Sequence, residues 1–435
     1  TLEINTEYCY PKGVYQTYKQ YNGFVNATHM NRSDSNWQSL YKAIMFCNTA
    51  IERIPNATKM TEEEKLAYLG ELRFLRGFNY FNLVKYWGGV PLKTDKNITE
   101  WNIPKSSKEE VYNFIIEDLK YALDNCPDKK RYLATPDKNT VRVCLADVYM
   151  HTGDYIEAKK LSGEVVNSGT YQLVQVAEPR DFDKVFGADL TTSTEEIFYI
   201  KTSRIDGKTW DYLSYTSHPK YEFVPGKTML NGNGYYTHYT DLRNHIIKSW
   251  DTNDLRYGMN IGFYVFGKDA YGEYTCLLTK YTDPNAQGNG ANVSIPLIRY
   301  TDAMLIYSEA CARVANTPTM ESIEMLNQLH RRAYGKVPNA ELDYKLSDYA
   351  SMTAYMDLLL KEETYEHFNE AKHWDFIVRQ GRAQELVGKY FNVETGEYTQ
   401  IQERHYLWKI PDSEFNYNKA MDQVKDQNPG YTSSN

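Results

Sequence analysis

The sequence predicts a mainly α fold: a tetratricopeptide-like scaffold of helical hairpins that carries an irregular, loop-rich mixed insertion. Three observations predict it. Apolar residues recur at helical spacing over residues 37–169 and again from 299 to 380. The order Leu145-Ala146, Tyr149, Gly153, Tyr155, Ala158 follows the tetratricopeptide pattern, in which small residues let two helices approach and tyrosines fill the groove. Between 170 and 298 the helical period lapses into short apolar alternations separated by turn signals.

Each element has a local reason. Residues 37–54 read as a helix opening at Trp37. Thr61 with Glu64 makes a capping box for a helix over 61–87, and its acidic first turn suits the positive end of the helix dipole. Ala67, Phe74, Phe78 and Phe81 form the core-facing row, and Gly88, Gly89 and Pro91 stop it. Ser106 or Ser107 opens a helix over 106–124. Residues 139–169 form the hairpin: Val141, Leu145 and Val148 face Ala158, Leu161 and Val165 across a turn at Gly153-Asp154. In the middle, EEIFYIKT and GFYVFG are the apolar alternations, while Asn231 to Gly234 and Asp283 to Gly290 are loop sequence. From 299 the steps Tyr300, Met304, Tyr307, Cys311 and Val314 restore the helix. Further helices are expected over Thr319–Ala333 and Ser351–Gln380, before an irregular tail.

Length alone suggests about three domains. No linker rich in Gly, Ser or Pro appears, so residues 1–435 read as a single unit with segments 37–169, 170–298 and 299–435. With 49 basic and 57 acidic residues the net charge is −8, which disfavours binding to nucleic acid or to an anionic membrane surface. No apolar run is long enough for a spanning helix, and the polar opening TLEINTEYCY carries no signal peptide. The six cysteines are scattered, and Cys47, Cys144 and Cys311 sit in apolar helical patterns as small buried thiols.

The sequence holds no phosphate-binding loop, no dinucleotide loop, no serine elbow and no H-E-x-x-H, so it points to no cofactor. The six-residue gap between His367 and His373 does not place them on one helix face, and no metal site is expected. Glu363, Glu366 and Glu370 are spaced for one helix face. They read either as acid/base carboxylates for glycoside hydrolysis or as a solvated or capping face paired with Lys361, Lys372 and Arg379. The second reading is favoured, because hydrolysis needs carboxylates on opposite sides of a bond. The stretch from Asp283 to Gly288 starts like a calcium loop, but Ser294 stands where the loop needs Glu, so it reads as a plain turn.

The tyrosines are the stronger lead. Of 39, twelve lie between Tyr199 and Tyr281, with Trp210 and Trp250 among them. Rings beside polar loops suit a carbohydrate, whose C–H face packs on an aromatic ring while its hydroxyls find amide, carboxylate or guanidinium partners. Such tyrosines also pack loops onto a scaffold, and any single one reads more simply that way.

The helical segments resemble the SusD/RagB family. WQSLYKAIMFCNTAIERI, with Trp37, Tyr41, Ile44 and Asn48, is similar to its first signature. ELRFLRGFNYFNLVKYWGGVPL, with Glu71, Arg73, Arg76, Tyr80, Gly88 and Pro91, is similar to its most recognisable stretch. LIRYTDAMLIYSEACAR, ETYEHFNEAKHWDFIVRQG and LWKIPDSEFNYNKAMDQVKDQNPGY continue the family's order to about residue 431. One departure stands out. The family usually reads Glu-Gly-x-Arg-x-x-Asp where this chain runs from Glu370-Ala371-Lys372-His373 to Phe376, so His373 replaces the arginine of a local ion pair.

The resemblance implies a cell-surface lipoprotein of Bacteroidetes type, outward-facing on the outer membrane, with its signal peptide and lipid anchor outside this sequence. It implies a protein that binds glycan without catalysis and passes it to a TonB-dependent, SusC-like transporter. It places the glycan on loops before the first signature helix and in the variable middle, here about residues 21–37 and 205–255. Asn31, Arg32 and Asp34 are then candidate hydroxyl partners, and Trp210, Tyr212, Tyr235, Tyr236 and Trp250 candidate platforms, while Trp37 belongs to the core. Two alternatives stand beside this reading: a tetratricopeptide-type subunit that binds a protein partner and no glycan, and a glycoside hydrolase using Glu363 or Glu370.

Overall fold

The computed structural model describes residues 2–15, 27–205, 212–230, 234–263, 274–286, 288–336, 342–388, 391–392, 397–398, 401 and 405–431. The helices are α1 (Ala27–Arg53), α2 (Glu62–Trp87), α3 (Lys108–Asn125), α4 (Lys138–Thr152), α5 (Tyr155–Val166), α6 (Asp183–Phe186), α7 (Tyr212–Thr216), α8 (His245–Ser249), α9 (Leu255–Asn260), α10 (Tyr300–Ala315), α11 (Met320–Ala333), α12 (Met352–Glu366), α13 (His373–Arg379), α14 (Ala383–Val387), α15 (Asp412–Tyr417) and α16 (Gln423–Asp426). Strands are short: β1 (Tyr10–Pro11), β2 (Glu196–Lys201), β3 (Glu222–Val224), β4 (Lys227–Thr228), β5 (His238–Asp241), β6 (Ile261–Phe263), β7 (Thr275–Leu278), β8 (Ser294–Arg299), β9 (Phe391–Asn392) and β10 (Glu397–Tyr398). The fold is mainly α, as the sequence predicts.

The chain packs as two compact units: Thr1–Lys19 with Tyr155–Thr399, and Gln20–Asp154 with Gln400–Asn435. The sequence reads as one unit cut into consecutive segments; the folded chain divides by which distant pieces pack together. One crossing falls between α4 and α5, inside the segment read as a single hairpin. Gly153 there takes the left-handed φ of +84° that closes α4.

In the unit of residues 20–154 and 400–435, α1 packs on α2, α2 on α3 and α3 on α4. The expected capping box is present at Thr61, and Ser107 caps α3 through a second one with Glu110. Gly70 lets α2 meet the end of α3, since a Cβ there would lie 2.7 Å from Cys126 N. Arg76 is buried and binds Asp118 through Nε (2.6 Å) and Nη2 (2.8 Å), while its Nη1 reaches Asn48 (2.7 Å) and Asp95 (2.5 Å). The tail closes on the same unit. Asn428 Nδ2 donates to the carbonyls of Trp87 (2.9 Å) and Trp408 (2.7 Å), and Gln427 bonds Ile410 in both directions. Trp37 is buried against Trp87, as expected.

The unit of residues 1–19 and 155–399 joins α5 to α10 at Gly163, where a Cβ would lie 2.8 Å from the Tyr307 ring. The strands β1-β5-β7-β6 form an antiparallel sheet, and β2 pairs with β8. An apolar cluster including Phe182, Phe186, Leu213, Met229, Leu277 and Val293 lies under the middle of the chain.

Several expectations are corrected. The first helix begins at Ala27, ten residues before Trp37; its early turns expose Arg32, Ser35 and Asn36 and so carry no apolar row to read. Ala67 and Phe78 are only half-buried, and Val314 is exposed. The expected helix over Ser351–Gln380 breaks into α12 and α13. Asn369 and Ala371 take left-handed φ of +61° and +59°, and Glu3 accepts both of their N–H groups at 2.8 Å. The Glu366 carbonyl accepts from Lys280 Nζ (3.1 Å) and Arg299 Nη2 (3.0 Å). These helix-ending partners come from far along the chain, where no local period shows them.

Candidate functional site

The tyrosine-rich middle divides into packing and surface. Tyr199, Tyr239, Tyr257 and Tyr281 are buried. A second group gathers at the surface around α7. The loop carrying Gly234 presses on that helix: Tyr235 N donates to Ser214 O (2.7 Å) and Tyr236 N to Ser217 O (3.0 Å). A Cβ on Gly234 would lie 2.8 Å from Ser217 O, so only glycine allows the approach. Tyr236 takes φ +39°, a strained value for a tyrosine.

Ring contacts run outward from α7. Tyr215 lies 6.1 Å from Tyr235, 5.7 Å from Tyr15 and 5.7 Å from His238, and Tyr212 lies 5.8 Å from His238. Tyr236 is tilted against His218 at 4.7 Å, with Lys12 Nζ 3.2 Å above its ring centre. Tyr212 is anchored from below, its hydroxyl donating to Asn369 Oδ1 at 2.6 Å, and burial holds that hydroxyl well above its ordinary pKa. Tyr235 is 43% exposed, and its hydroxyl reaches the exposed Asn289 at 3.3 Å. Tyr235 is exposed and Tyr212, Tyr215, Tyr236 and His218 are half-buried, while Tyr15 and His238 are buried, so the accessible faces are aromatic with hydroxyl and amide edges. The arrangement suits a ligand with an apolar face and a polar rim.

Of the platforms named from the sequence, Tyr212, Tyr235 and Tyr236 come together here. Trp210 lies outside the described residues. Trp250 is corrected: it is 3% exposed and stacks on Tyr365 at 4.2 Å and 5° between planes, with Phe368 and Tyr257 around it. It is a core ring, and loop-like surroundings in sequence concealed that. Asn31, Arg32 and Asp34 lie in α1, in the other unit, and not in a loop. Arg32 is exposed, and burial with Asp412 nearby raises the pKa of half-buried Asp34. Tyr15, Tyr215, Lys12 and Asn289 were missed. Tyr215 follows Tyr212 by three, one helical turn, which was a readable signal; the other three join only through the fold.

The side chains of the three carboxylates read as a helix face are instead buried. Glu370 lies past the end of α12 and meets Lys280 (2.7 Å) and Arg299 (2.8 Å). Glu366 binds Arg332, Arg299 (2.8 Å) and Arg256 (3.3 Å), and Glu195 joins Arg299 and Arg332 on the other side. Glu363 faces both His373 and His367, so the two histidines do converge, across the turn after α12. Burial alone would raise these acids. His373 and His367 nonetheless hold Glu363 down at about 2, and the guanidiniums and Lys280 hold Glu366 and Glu370 well below the usual range. A general acid for glycoside hydrolysis needs the opposite shift and an open face.

Asp283 accepts from Arg204 (2.6 Å) and from the backbone N–H of Asn285 and Asn292, as a turn-forming residue does. Among the described residues no cluster of His, Cys, Asp or Glu is placed to hold a metal ion. All six cysteines are free and buried. No helix among the described residues is long and apolar enough to cross a membrane.

Comparison with known proteins agrees with this architecture. The model of the SusD family matches residues 140–431, and one described as "Starch-binding associating with outer membrane" matches residues 9–150. The chain belongs to the SusD/RagB family. Among its relatives, SusD-like protein P2 of Formosa agariphila is 25% identical over 95% of this chain and 83% of its own length. The crystal structure of a SusD homolog from Bacteroides thetaiotaomicron superposes with a TM-score of 0.81 at 21% identity, covering 99% of this chain and 92% of that one. A protein described as "Laminarin binding SusD-like protein" gives 0.76 at 17% identity, covering 99% and 93%. SusD-family signature residues take structural roles here: Arg76 anchors α2, and Gln427 and Asn428 pin the tail.

Proposed function

We propose that this SusD-family protein binds glycan at the outer surface of the outer membrane and passes it to a TonB-dependent transporter of SusC-like kind, without hydrolysing it. The observation that carries the reading is the surface set of Tyr212, Tyr215, Tyr235 and Tyr236, backed by Lys12 and His238 and edged by Asn289. Trp210, Asn31, Arg32 and Asp34 are proposed as glycan contacts on the family resemblance alone. The relative named for laminarin binding and the starch-binding description of the N-terminal match support the ligand class.

Affinity electrophoresis in gels cast with laminarin, amylopectin and mucin-type glycans tests it. One of these retards the wild-type protein, and Tyr235→Ala weakens the retardation roughly two- to tenfold without changing the melting temperature. A folded wild type retarded by none of a broad polysaccharide panel overturns the glycan reading. Co-purification from outer membranes tests the transporter partner separately.

A further inference from the structure

The bond that holds the Tyr212 hydroxyl leads back to residues 3–8. Glu3, Tyr8 and Asn369 are buried, and all lie in the unit of residues 1–19 and 155–399 with Tyr212. The Glu3 carboxylate bridges the turn after α12: Oε1 accepts from Asn369 N and Oε2 from Ala371 N, each at 2.8 Å. It also accepts from Tyr8 Oη, and the Tyr8 ring stacks on Phe368 at 4.0 Å. Residues 3–8 thereby clamp residues 368–371. Asn369 is held at φ +61°, and from there its Oδ1 accepts the Tyr212 hydroxyl at 2.6 Å.

Stability alone does not account for Asn369. Glycine takes a left-handed φ without steric cost. The asparagine leaves Nδ2 buried with no hydrogen-bond partner, which lowers stability. What its side chain adds is one acceptor for Tyr212. That acceptor matters because Tyr212 opens α7, a helix of only 5 residues with little stability of its own. The Tyr212 ring is half-buried, with its hydroxyl end inside. Tethering a tyrosine at its hydroxyl fixes both side-chain torsions, so the ring meets a ligand already ordered. An untethered side chain of this size gives up roughly two- to tenfold in affinity to ordering. The same segment borders the tyrosine surface again further along. As β1 it pairs with β5, Lys12 N donates to Thr237 O (2.8 Å), and Lys12 Nζ lies over Tyr236.

We propose that Glu3 and Asn369 are positioning residues for the tyrosine surface. Glu3 sets the turn, Asn369 fixes Tyr212, and ligand affinity in the middle of the chain therefore depends on residues 3–8. Both side chains act from the interior, without touching ligand. The proposal rests on the glycan reading above, since it concerns the same rings.

The test uses the full chain in the laminarin, amylopectin and mucin-type glycan gels. Tyr212→Phe keeps the ring and removes its tether. Asn369→Gly keeps the backbone angle and removes the acceptor. Glu3→Gln turns an amide N–H toward one of the two backbone N–H groups. In whichever gel retards the wild type, each single variant loses roughly two- to tenfold in apparent affinity. Tyr212→Phe combined with Asn369→Gly loses no more than the weaker of the two, because both cut one bond. Asn369→Gly combined with Tyr235→Ala loses more than either. A residue that served stability alone would lower the melting temperature and leave retardation, measured below that transition, at the wild-type level. That result in Tyr212→Phe or Asn369→Gly overturns the proposal, as do losses that multiply in their double variant. Glu3→Gln retarded like the wild type overturns the dependence on residues 3–8. If Tyr235→Ala weakens retardation while these variants do not, the glycan reading stands and this proposal falls. A wild type retarded by none of a broad polysaccharide panel overturns both.

Discussion

His373 and Glu363 form a buried ion pair, with Nδ1 2.6 Å from Oε2, and the far side of the same imidazole meets Glu7 Oε1 at 3.0 Å. This is where the family pattern has arginine. The histidine carries this pair with a charge that can be titrated. Burial works against that charge, yet Glu7 and Glu363 hold the imidazole well above its ordinary pKa. A raised histidine contributes fully below its unfolded value of about 6.5, and the contribution fades as pH climbs toward the folded value. Glu363, held near 2 against an ordinary 4.5, contributes above 4.5 and fades as pH falls toward 2. The expected profile is a plateau between about pH 4.5 and 6.5 with losses on both sides. His373→Gln removes about 3–5 kcal/mol on that plateau, because two buried carboxylates lose their cation. Urea unfolding of both proteins at about pH 3, 5.5 and 9 checks it; a difference that does not change with pH contradicts it.

Ala371 sits at the glycine of the same family pattern and at φ +59°. Its N–H is committed to Glu3 Oε2 at 2.8 Å, so the backbone does not relax to an easier angle. Ala371→Gly relieves a left-handed alanine and is expected to stabilise the protein by about 0.5–1 kcal/mol after the extra unfolded-state entropy of glycine is counted. A denaturant midpoint that falls instead would refute this.

Trp250 contributes to stability and not to ligand binding. Trp250→Ala empties a stacked, buried site and is expected to cost about 3–5 kcal/mol, with Trp250→Phe costing less. Glycan retardation of the fraction that remains folded stays at the wild-type level. Selective loss of retardation at unchanged stability would place this ring at the ligand after all.

Gly70 is a contact between helices, since its absent side chain makes room for the backbone at Asn125 and Cys126. Gly70→Ala must move backbone, so a loss of about 1–3 kcal/mol is expected despite the better helix propensity of alanine. Chemical denaturation gives the value, and a gain in stability would show that α3 yields freely.

What was readable in the sequence is what neighbours in sequence decide. The box at Thr61, the helix opening at Ser106 or Ser107 and the turn at Gly153 follow from residues within a turn or two of each other, whereas the burial of Trp37 was implied by the family resemblance. The break after α12 was not readable, because Glu3, Lys280 and Arg299 supply the partners that end it. The fate of each tyrosine was equally hidden. Tyr257 and Tyr235 both sit beside glycine among polar residues in sequence, yet one is buried and the other is open. Periodicity also reports only buried faces, so the exposed first turns of α1 passed for a loop.

The interleaving of the two units bears on how the chain acquires its structure during synthesis. Residues 20–154 reach their own closing segment, 400–435, only after the intervening 245 residues have been made, since 399 − 155 + 1 = 245. Residues 1–19 likewise wait for 155–399. Both units therefore depend on contacts of long sequence separation, which are slow to form and leave apolar helix faces uncovered meanwhile. The Trp87 and Trp408 carbonyls gain their bonds from Asn428 only when nearly the whole polypeptide has emerged. A nascent chain stalled before residue 400 would carry a helical array without its seal, and so would be a substrate for chaperones or proteases.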